Sequence, residues 1–251
     1  ARRKPIAILA PATLTGQWQT ELVDKLAVST ARWDNRQKAW IDPQGHVISP
    51  RGAEQIARCP YRIGIISTGL ITQGTEESDH LSRMNFEVLA LDESHKARTR
   101  RGRGGSREDP NRLLAFMVRA AGRSNHVILG TATPMQTDVD DLWDQLSMLN
   151  AGRGSFVLGS DYSVWQTPLK ARGLLTGDER SVSPEYAWKC IKSPLPPIDS
   201  SDEPEFRRLI SSIRQEARVP EDSFETNASL IDLPIDLRED IEDTVAREKN
   251  G

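Results

Sequence analysis

The amino-acid sequence predicts an α/β fold in which a parallel β-sheet is flanked by helices over residues 1–152, and a mainly helical extension follows over residues 153–251. Two observations support this fold class. Short apolar runs alternate with amphipathic helical patterns through about residue 150, which is typical of parallel strands joined by crossover helices. In addition, hydroxyl or carboxylate side chains follow each apolar run, as expected where the carboxyl ends of buried strands open onto one crevice.

Four short apolar runs provide the predicted strands. They cover Pro5–Ala10, Arg62–Thr68, Phe86–Asp92 and His126–Leu129. An uninterrupted apolar run is typical of a strand that is covered on both faces, as in a parallel sheet. The third run is the most informative because it stops at two adjacent carboxylates, Asp92 and Glu93. The acids indicate a ligand site, but a strand that ends in a solvated turn has the same local sequence, so the rest of the chain has to decide.

The helix predicted after the first strand is amphipathic. Its apolar residues recur at intervals of four: Leu14, Trp18, Leu22 and Leu26. We expect this face to pack against the sheet, and we expect Gln17, Glu21 and Lys25 to face outward. The next stretch, from Trp33 to Pro60, contains turn-forming residues and one short helical pattern, so we interpret it as an irregular connection.

Three further helices are predicted in the sheet region. The first covers Glu76–Met84. Asp109 and Pro110 supply an N-cap and a first-turn proline for the second helix, which Gly122 would end. The third helix opens at Asp138, after the fourth strand. Helices and strands therefore alternate along the chain, as a parallel sheet requires.

A densely basic, glycine-rich segment, Lys96–Arg107, directly follows the two acids. Its composition predicts a loop. One interpretation is an electrostatic contact to DNA or RNA, and the other is a solvated insertion. We favour the second interpretation, because a glycine-rich arginine loop needs no partner to be soluble.

The extension after residue 152 has weaker patterns. The predicted elements are short helices over Asp161–Leu169 and Pro184–Ile191, a proline-rich linker over Ser193–Pro197, a helix with Phe206, Leu209, Ile210 and Ile213 facing inward, and a final helix over Asp236–Lys249. We expect this region to form a brace toward a further domain or a docking surface, and the sequence does not choose between them.

The composition excludes several classes of protein. The formal net charge of −3 is spread unevenly, with a basic segment and an acidic end, so it does not identify a partner. Cys59 and Cys190 form no C-x-x-C pair, which indicates reduced thiols rather than a disulfide framework or a zinc site. No apolar run approaches the roughly twenty residues of a membrane-spanning helix. We therefore expect a cytoplasmic protein without a membrane partner.

Four stretches match consecutive motifs of one enzyme family in order and spacing. They are Ile8-Leu9-Ala10-Pro11-Ala12-Thr13-Leu14 with Gln17-Trp18, then Ile65-Ile66-Ser67-Thr68, then Leu91-Asp92-Glu93-Ser94-His95, then Gly130-Thr131-Ala132-Thr133-Pro134-Met135-Gln136 with Leu142-Trp143. Together they resemble motifs Ia, Ib, II (the DEAH box) and III of the superfamily-2 helicase-like ATPases, specifically the Swi/Snf and RapA branch. The version here is most similar to prokaryotic members, some of which act in antiviral defence complexes, and such a role is a hypothesis.

The resemblance implies that residues 1–152 form most of a RecA-like ATPase lobe, and that the complete protein is an ATP-dependent DNA translocase. Asp92 would hold Mg²⁺ on the phosphates of ATP, and Glu93 would position or deprotonate the hydrolytic water. His95 would link that site to Thr131 and Thr133, which in the family couple hydrolysis to movement between two RecA-like lobes.

The resemblance also implies a nucleic-acid contact. Pro11 and Thr13 in one motif, and Ser67 and Thr68 in the next, would touch the phosphate backbone, where small residues let backbone N–H groups and hydroxyls approach. Such contacts carry no sequence preference. The expected partners are double-stranded DNA or another nucleic acid, a second RecA-like lobe, and other subunits of a complex.

The sequence departs from the family pattern in two ways. The family holds the phosphates with a glycine-rich loop that ends in Gly-Lys-Thr or Gly-Lys-Ser, and no Gly-Lys pair occurs in these 251 residues. No second lobe with an arginine finger is recognisable either. We expect the sequence to be a piece of the functional unit that is inactive alone. Ser94, where alanine or glycine is commoner, is a smaller departure from which we expect little consequence.

Three hypotheses remain open from the sequence. The first is a part of an ATP-driven translocase on DNA. The second is a non-catalytic RecA-like module that binds nucleic acid or a partner protein as a scaffold, which the missing lysine favours. The third is a Mg²⁺-dependent nuclease using Asp92 and Glu93, and the absence of further clustered acids in the sequence argues against it.

Overall fold

The structure is a computed structural model that describes residues 3–101, 107–134, 140–153, 156–167 and 183–247. The chain divides into two compact units, Ala1–Ser155 and Phe156–Gly251, which we call the first and the second unit. Within the described residues, no helix is both long enough and apolar enough to cross a membrane.

The first unit is built on a mixed sheet that confirms the predicted α/β class. The strands are β1 (Ile6–Ala10), β2 (Thr30–Asp34), β3 (Ala39–Ile41), β4 (Ile63–Ser67), β5 (Phe86–Asp92), β6 (Thr99–Arg101), β7 (Arg107–Pro110) and β8 (Ser124–Gly130). Six of them form one sheet in the order β3-β2-β4-β1-β5-β8, and β6 and β7 form a separate hairpin. Neighbouring strands of the sheet are parallel except for β2 and β3.

Helices cover this sheet. They are α1 (Thr15–Leu26), α2 (Thr68–Gln73), α3 (Glu76–Ser82), α4 (Arg112–Ala121) and α5 (Asp140–Asn150), with 3₁₀ turns at Ala53–Ala57 and Ser94–Lys96. The central strands β1 and β4 are covered on both faces, with Leu9, Ala10, Ile65 and Ile66 almost wholly buried. Their uninterrupted apolar sequences are explained by this burial.

The expected packing face of α1 is partly wrong. The buried residues of this helix are Thr15 and Gln19, whereas Leu26 is 64% exposed. Gln19 is buried because its side-chain amide donates long hydrogen bonds of 3.4 Å to the carbonyl oxygens of Thr30 and Ile41. Those carbonyls belong to β2 and β3, which the sequence did not predict, so the polar partner of Gln19 could not be foreseen.

The stretch from Trp33 to Pro60 is more regular than expected. It contributes the end of β2 and all of β3, which pair antiparallel at one edge of the sheet. Asp34 closes the turn by accepting the backbone N–H groups of Arg36 (2.9 Å) and Gln37 (2.8 Å). Trp33 and Trp40 then pack edge to face with ring centroids 5.4 Å apart. Aromatic packing therefore stabilises a hairpin that has little other apolar sequence.

The basic segment is not simply a loop, because Thr99–Arg101 and Arg107–Pro110 pair as the β6–β7 hairpin, with residues 102–106 outside the described part of the chain. The buried Asp144 anchors it by accepting the N–H and the hydroxyl of Thr99, each at 2.7 Å. The predicted helix start at Asp109 and Pro110 is wrong for the same reason. Those residues end β7, and Asn111 caps α4 instead by accepting the N–H of Leu114 at 2.9 Å.

The second unit is helical. Its helices are α6 (Pro184–Ile191), α7 (Pro204–Glu216) and α8 (Ile235–Arg247), with 3₁₀ turns at Val164–Gln166 and Leu230–Asp232. The 3₁₀ turn replaces the described part of the helix expected over Asp161–Leu169. The proline-rich stretch Ser193–Pro197 connects α6 and α7 without regular structure, but it is packed rather than solvated, since Leu195 is wholly buried in the core of this unit. An apolar residue inside a proline-rich stretch is what anchors it.

Candidate active site

The predicted site residues follow strands that end at one edge of the sheet. Ala10 pairs with Ser67 across β1 and β4, and Asp92 pairs with Gly130 across β5 and β8. Because these four strands are parallel, their carboxyl ends meet at the same edge. The register therefore places the two acids Asp92 and Glu93 close to Thr131, which follows β8. His95 lies between them.

Asp92 is held by one donor on each carboxylate oxygen. Its Oδ1 accepts the backbone N–H of Glu93 at 2.9 Å, and its Oδ2 accepts the indole N–H of Trp18 at 2.8 Å. An ionised carboxylate offers about four lone-pair positions, so two stay open toward the half-buried edge. A hard cation such as Mg²⁺ is bound by one or two carboxylates together with water and substrate phosphates. The carboxylate of Asp92 fits that requirement.

Among the described residues, no three His, Cys, Asp or Glu side chains converge on a common metal position.

Glu93 occupies a left-handed backbone conformation, with φ of 54° and ψ of 48°. That conformation costs a residue other than glycine roughly 1–2 kcal/mol. This conformation makes the sharp turn that ends β5, and the side chain next to Asp92 remains 33% exposed. A strained acid at the end of a strand is typical of a functional position.

His95 connects the two strands that meet at this edge. Its Nδ1 lies 3.2 Å from Oε2 of Glu93 and 2.9 Å from Oγ1 of Thr131. The hydroxyl oxygen of Thr131 in turn accepts the backbone N–H of Thr133 at 3.1 Å. The structure thus brings Glu93, His95 and Thr131 into one network, which Thr133 joins through its backbone N–H.

Ser94 contributes a hydrogen bond to the site in addition to being small. It is fully buried, and its hydroxyl donates to Oε1 of Gln145 at 3.0 Å. The amide nitrogen of Gln145 donates to the carbonyl oxygen of Pro134 at 2.6 Å. Helix α5 thereby connects the turn after Asp92 to the segment after β8. This contact was not predicted from the sequence, where the available indication was Gln145, a glutamine on a helix with an apolar face.

The four residues expected to contact nucleic acid have different surroundings. Thr13 is exposed, and Pro11 is half-buried with its carbonyl oxygen accepting the N–H of Leu14 at 2.8 Å. Ser67 and Thr68 are buried, and the hydroxyl of Ser67 accepts the N–H of Gly69 at 3.1 Å as the N-cap of α2. The side chains of the second pair are therefore not exposed for a phosphate contact.

A small cleft of about 240 Å³ opens beside Asp92. Its lining residues are Leu14, Gln17, Trp18, Glu21 and Asp92. Most of the lining belongs to α1, so this helix forms one wall of the edge that carries the acids. Trp18 belongs both to the cleft and to the hydrogen-bond network of Asp92.

Comparison with known proteins shows a distant similarity over part of the chain. No protein-family model matches the chain. Over 148 residues the chain is 24% identical to RNA polymerase-associated protein RapA of Klebsiella pneumoniae (strain 342). The match covers 59% of this chain and 14% of that protein, so the chain spans a small part of the relative's length. This distant similarity suggests the helicase-like ATPase superfamily.

Proposed function

We propose that the chain is part of an ATP-driven translocase on double-stranded DNA, in which Asp92 and Glu93 serve ATP hydrolysis. The observation that supports this proposal best is the network in which His95 connects Glu93 to Thr131 across two neighbouring strands. The distant similarity to RapA supports it independently. A place in an antiviral defence complex stays a hypothesis, because the relative is described as associated with RNA polymerase.

Each acid has a separate role in the proposed reaction. ATP supplies the phosphoryl group, and its Mg²⁺ neutralises charge on the phosphates. Asp92 would hold the metal through the lone pairs that Trp18 and the N–H of Glu93 leave open. Glu93 would orient the attacking water and accept its proton, since its carboxylate is partly exposed beside Asp92.

His95 would position Glu93 and sense the neighbouring strand. Its Nδ1 lies 3.2 Å from Oε2 of Glu93, so a hydrogen on that nitrogen would favour this oxygen and leave the other carboxylate oxygen for the water. The same nitrogen lies within hydrogen-bonding distance of Thr131, so the two contacts compete for one ring position. A shift of Thr131 would then change how Glu93 is held, which is a physical route from hydrolysis to movement.

The phosphate-binding loop would be supplied beside β8. Among the described strands, β8 ends the sheet, and Ile128 on it is 56% exposed. A further strand pairing there would bring its carboxyl end next to Gly130, about 10 Å from the strand of Asp92 at the usual spacing. The family's glycine-rich loop with its lysine would then face the acids, although the 251 residues contain no Gly-Lys pair.

A non-catalytic module is the second candidate, and the missing Gly-Lys pair favours it. A scaffold of this kind would bind DNA or a partner protein without holding ATP. Micromolar ATP binding by the isolated 251-residue chain would contradict this alternative.

The substitution Glu93→Gln in the complete protein tests the catalytic proposal. We expect DNA-stimulated ATP hydrolysis to fall by about 10²–10⁴-fold, because the amide cannot accept the proton of the water. ATP affinity, measured with a fluorescent analogue, should be retained. Glu87→Gln is the matched control, because Glu87 lies on the same strand and its carboxylate bonds Asn125 away from the edge. Undiminished turnover of Glu93→Gln would refute the role of Glu93.

A further inference from the structure

Trp18 is the one side chain of α1 that bonds an acid of the proposed site. It lies 74 positions before Asp92 in the chain, and its indole N–H donates to Oδ2 of that residue at 2.8 Å. The residue is only half-buried, and it lines the cleft beside the acid. Packing alone therefore does not account for an aromatic residue with a polar atom at this position.

The chemistry of the indole makes this bond directional. An indole nitrogen donates a hydrogen bond and never accepts one. Oδ2 of Asp92 must therefore present a lone pair, which an ionised carboxylate always does. A donor on an ionised carboxylate also makes a shorter and stronger bond than a donor on a neutral oxygen. The indole N–H therefore occupies one lone pair of Oδ2 and leaves the remaining lone pairs of the carboxylate for a cation.

The bond also fixes the orientation of the carboxylate. The N–H of Glu93 holds Oδ1, and the indole of Trp18 holds Oδ2, so rotation of the carboxylate about its terminal torsion would break both bonds. The torsion of an aspartate is otherwise broad, so the open lone pairs would lack a defined direction. Two donors on two oxygens define that direction.

The helix that carries Trp18 is itself held in place. Its N-terminal end is fixed by the bonds from the N–H of Leu14 to the carbonyl of Pro11 and from the hydroxyl of Thr15 to the carbonyl of Ala12. Gln19, the next residue after Trp18, is anchored on β2 and β3. Trp18 therefore donates from a rigid support, as a group that orients a metal ligand must.

We propose that Trp18 is a positioning residue for Asp92, whose indole N–H orients the carboxylate toward a divalent cation. This inference rests on the proposed metal role of Asp92. Loss of a partner that orients a metal ligand typically weakens metal binding by about 10–100-fold. We expect a weakening of about tenfold when the N–H of Trp18 is removed.

The test replaces Trp18 in the 251-residue chain by β-(3-benzothienyl)alanine, which has the shape of tryptophan with sulfur in place of the N–H. Trp18→Phe serves as the genetically encoded second variant. The probe is Mn²⁺, added alone as a paramagnetic substitute for Mg²⁺. The readout is the paramagnetic broadening of the Glu93 amide proton in ¹⁵N–¹H spectra. This N–H donates to Oδ1 of Asp92, so it lies next to the carboxylate that would bind the metal. The Mn²⁺ concentration at half-broadening measures local metal affinity without any turnover.

Two controls accompany the titration. Asp92→Asn should abolish the low-concentration broadening of Glu93. The benzothienyl replacement at Trp165, whose indole donates at 2.8 Å to the carbonyl of Cys190 in the second unit, should leave the midpoint unchanged.

The outcomes separate the two proposals. A midpoint raised about tenfold by both replacements of Trp18 supports the positioning role. If the benzothienyl replacement of Trp18 leaves the Mn²⁺ midpoint at its wild-type value while Asp92→Asn loses the broadening, the role of Trp18 is overturned. The metal role of Asp92 then stays intact. An unchanged midpoint in Asp92→Asn refutes direct metal binding by Asp92 in this chain, and the inference fails with it.

Discussion

The polar cluster around Asp92 in the first unit and the cluster around Arg214 in the second unit use their hydrogen-bonding capacity differently. Arg214 is 6% exposed, and its guanidinium donates to four carbonyl oxygens, those of Leu195, Pro196, Pro220 and Ser223. A guanidinium has five N–H donors, so nearly all of its capacity is used within the unit. The carboxylate of Asp92, in contrast, bonds one donor per oxygen and keeps lone pairs open at a half-buried edge.

The difference shows how a structural polar group can be told from a candidate functional one. Burial lowers the pKa of Arg214, and the surrounding carbonyls compensate for the water that the guanidinium has lost. The edge around Asp92 instead keeps a partly exposed acid, Glu93, in a strained backbone conformation. Saturated bonding indicates a role in stability, whereas open lone pairs beside strain indicate a role toward a ligand.

The largest stability effect is predicted at Arg214. The substitution Arg214→Met removes all four bonds and leaves buried carbonyls without donors, so we expect unfolding of the second unit to become easier by about 3 kcal/mol. Thiol labelling during urea unfolding can follow each unit, because Cys190 is buried in the second and Cys59 lies in the first. Burial raises the pKa of the Cys59 thiol to about 12, so at pH 8 it reacts only when its surroundings open.

The expected result for Arg214→Met is faster labelling of Cys190 at lower urea, with a smaller change for Cys59. Arg208→Met is the matched control, because Arg208 is exposed on the same helix and its loss should change the midpoint little. Equal acceleration at both thiols would show that the two units unfold together, and an unchanged midpoint would refute the structural role of Arg214.

An intermediate effect on stability is predicted at Ser94. This residue lies within the candidate site, but its hydroxyl, like the guanidinium of Arg214, is buried and bonded inside the protein. Ser94→Ala leaves Oε1 of Gln145 buried without its donor, so we expect a loss of about 1–2 kcal/mol in the free energy of unfolding. The double variant Ser94→Ala with Gln145→Leu removes both partners and should lose less than the sum of the single variants. Additive losses in urea denaturation would show that the two side chains do not interact.

The sequence predicted the strands that are apolar throughout and missed those that depend on partners. β1 and β4 were recognisable because continuous apolar runs are typical of strands buried on both faces. β5 was recognisable from the apolar run Val88–Leu91, which ends at Asp92. β2 and β3 were missed because their stability comes from the edge-to-face packing of Trp33 on Trp40, which no periodicity encodes. The β6–β7 hairpin was missed because the anchor of Thr99, Asp144, lies 45 residues away.

The candidate site was predictable to the extent that its residues are close in sequence. Asp92, Glu93 and His95 follow one strand, so a local motif identified them, and their roles stay predictions. The bond from Trp18 to Asp92 joins residues 74 positions apart and depends on how α1 packs. The burial of Ser67 was equally invisible, since only the start of α2 at Thr68 explains its capping bond.

The smallest stability effect is predicted at Ile128, on the strand that ends the sheet. Ile128→Lys should change the free energy of unfolding of the 251-residue chain by less than about 0.5 kcal/mol, because the side chain is more than half exposed. Leu129→Lys is the matched control, since the neighbouring side chain packs against the core and a charge there should destabilise strongly. In the complete protein, Ile128→Lys should weaken ATP binding if a further strand carries the phosphate loop past this edge. Unchanged ATP affinity of Ile128→Lys would place the phosphate loop elsewhere. If Ile128→Lys destabilises the 251-residue chain as much as Leu129→Lys does, the Ile128 side chain is already covered.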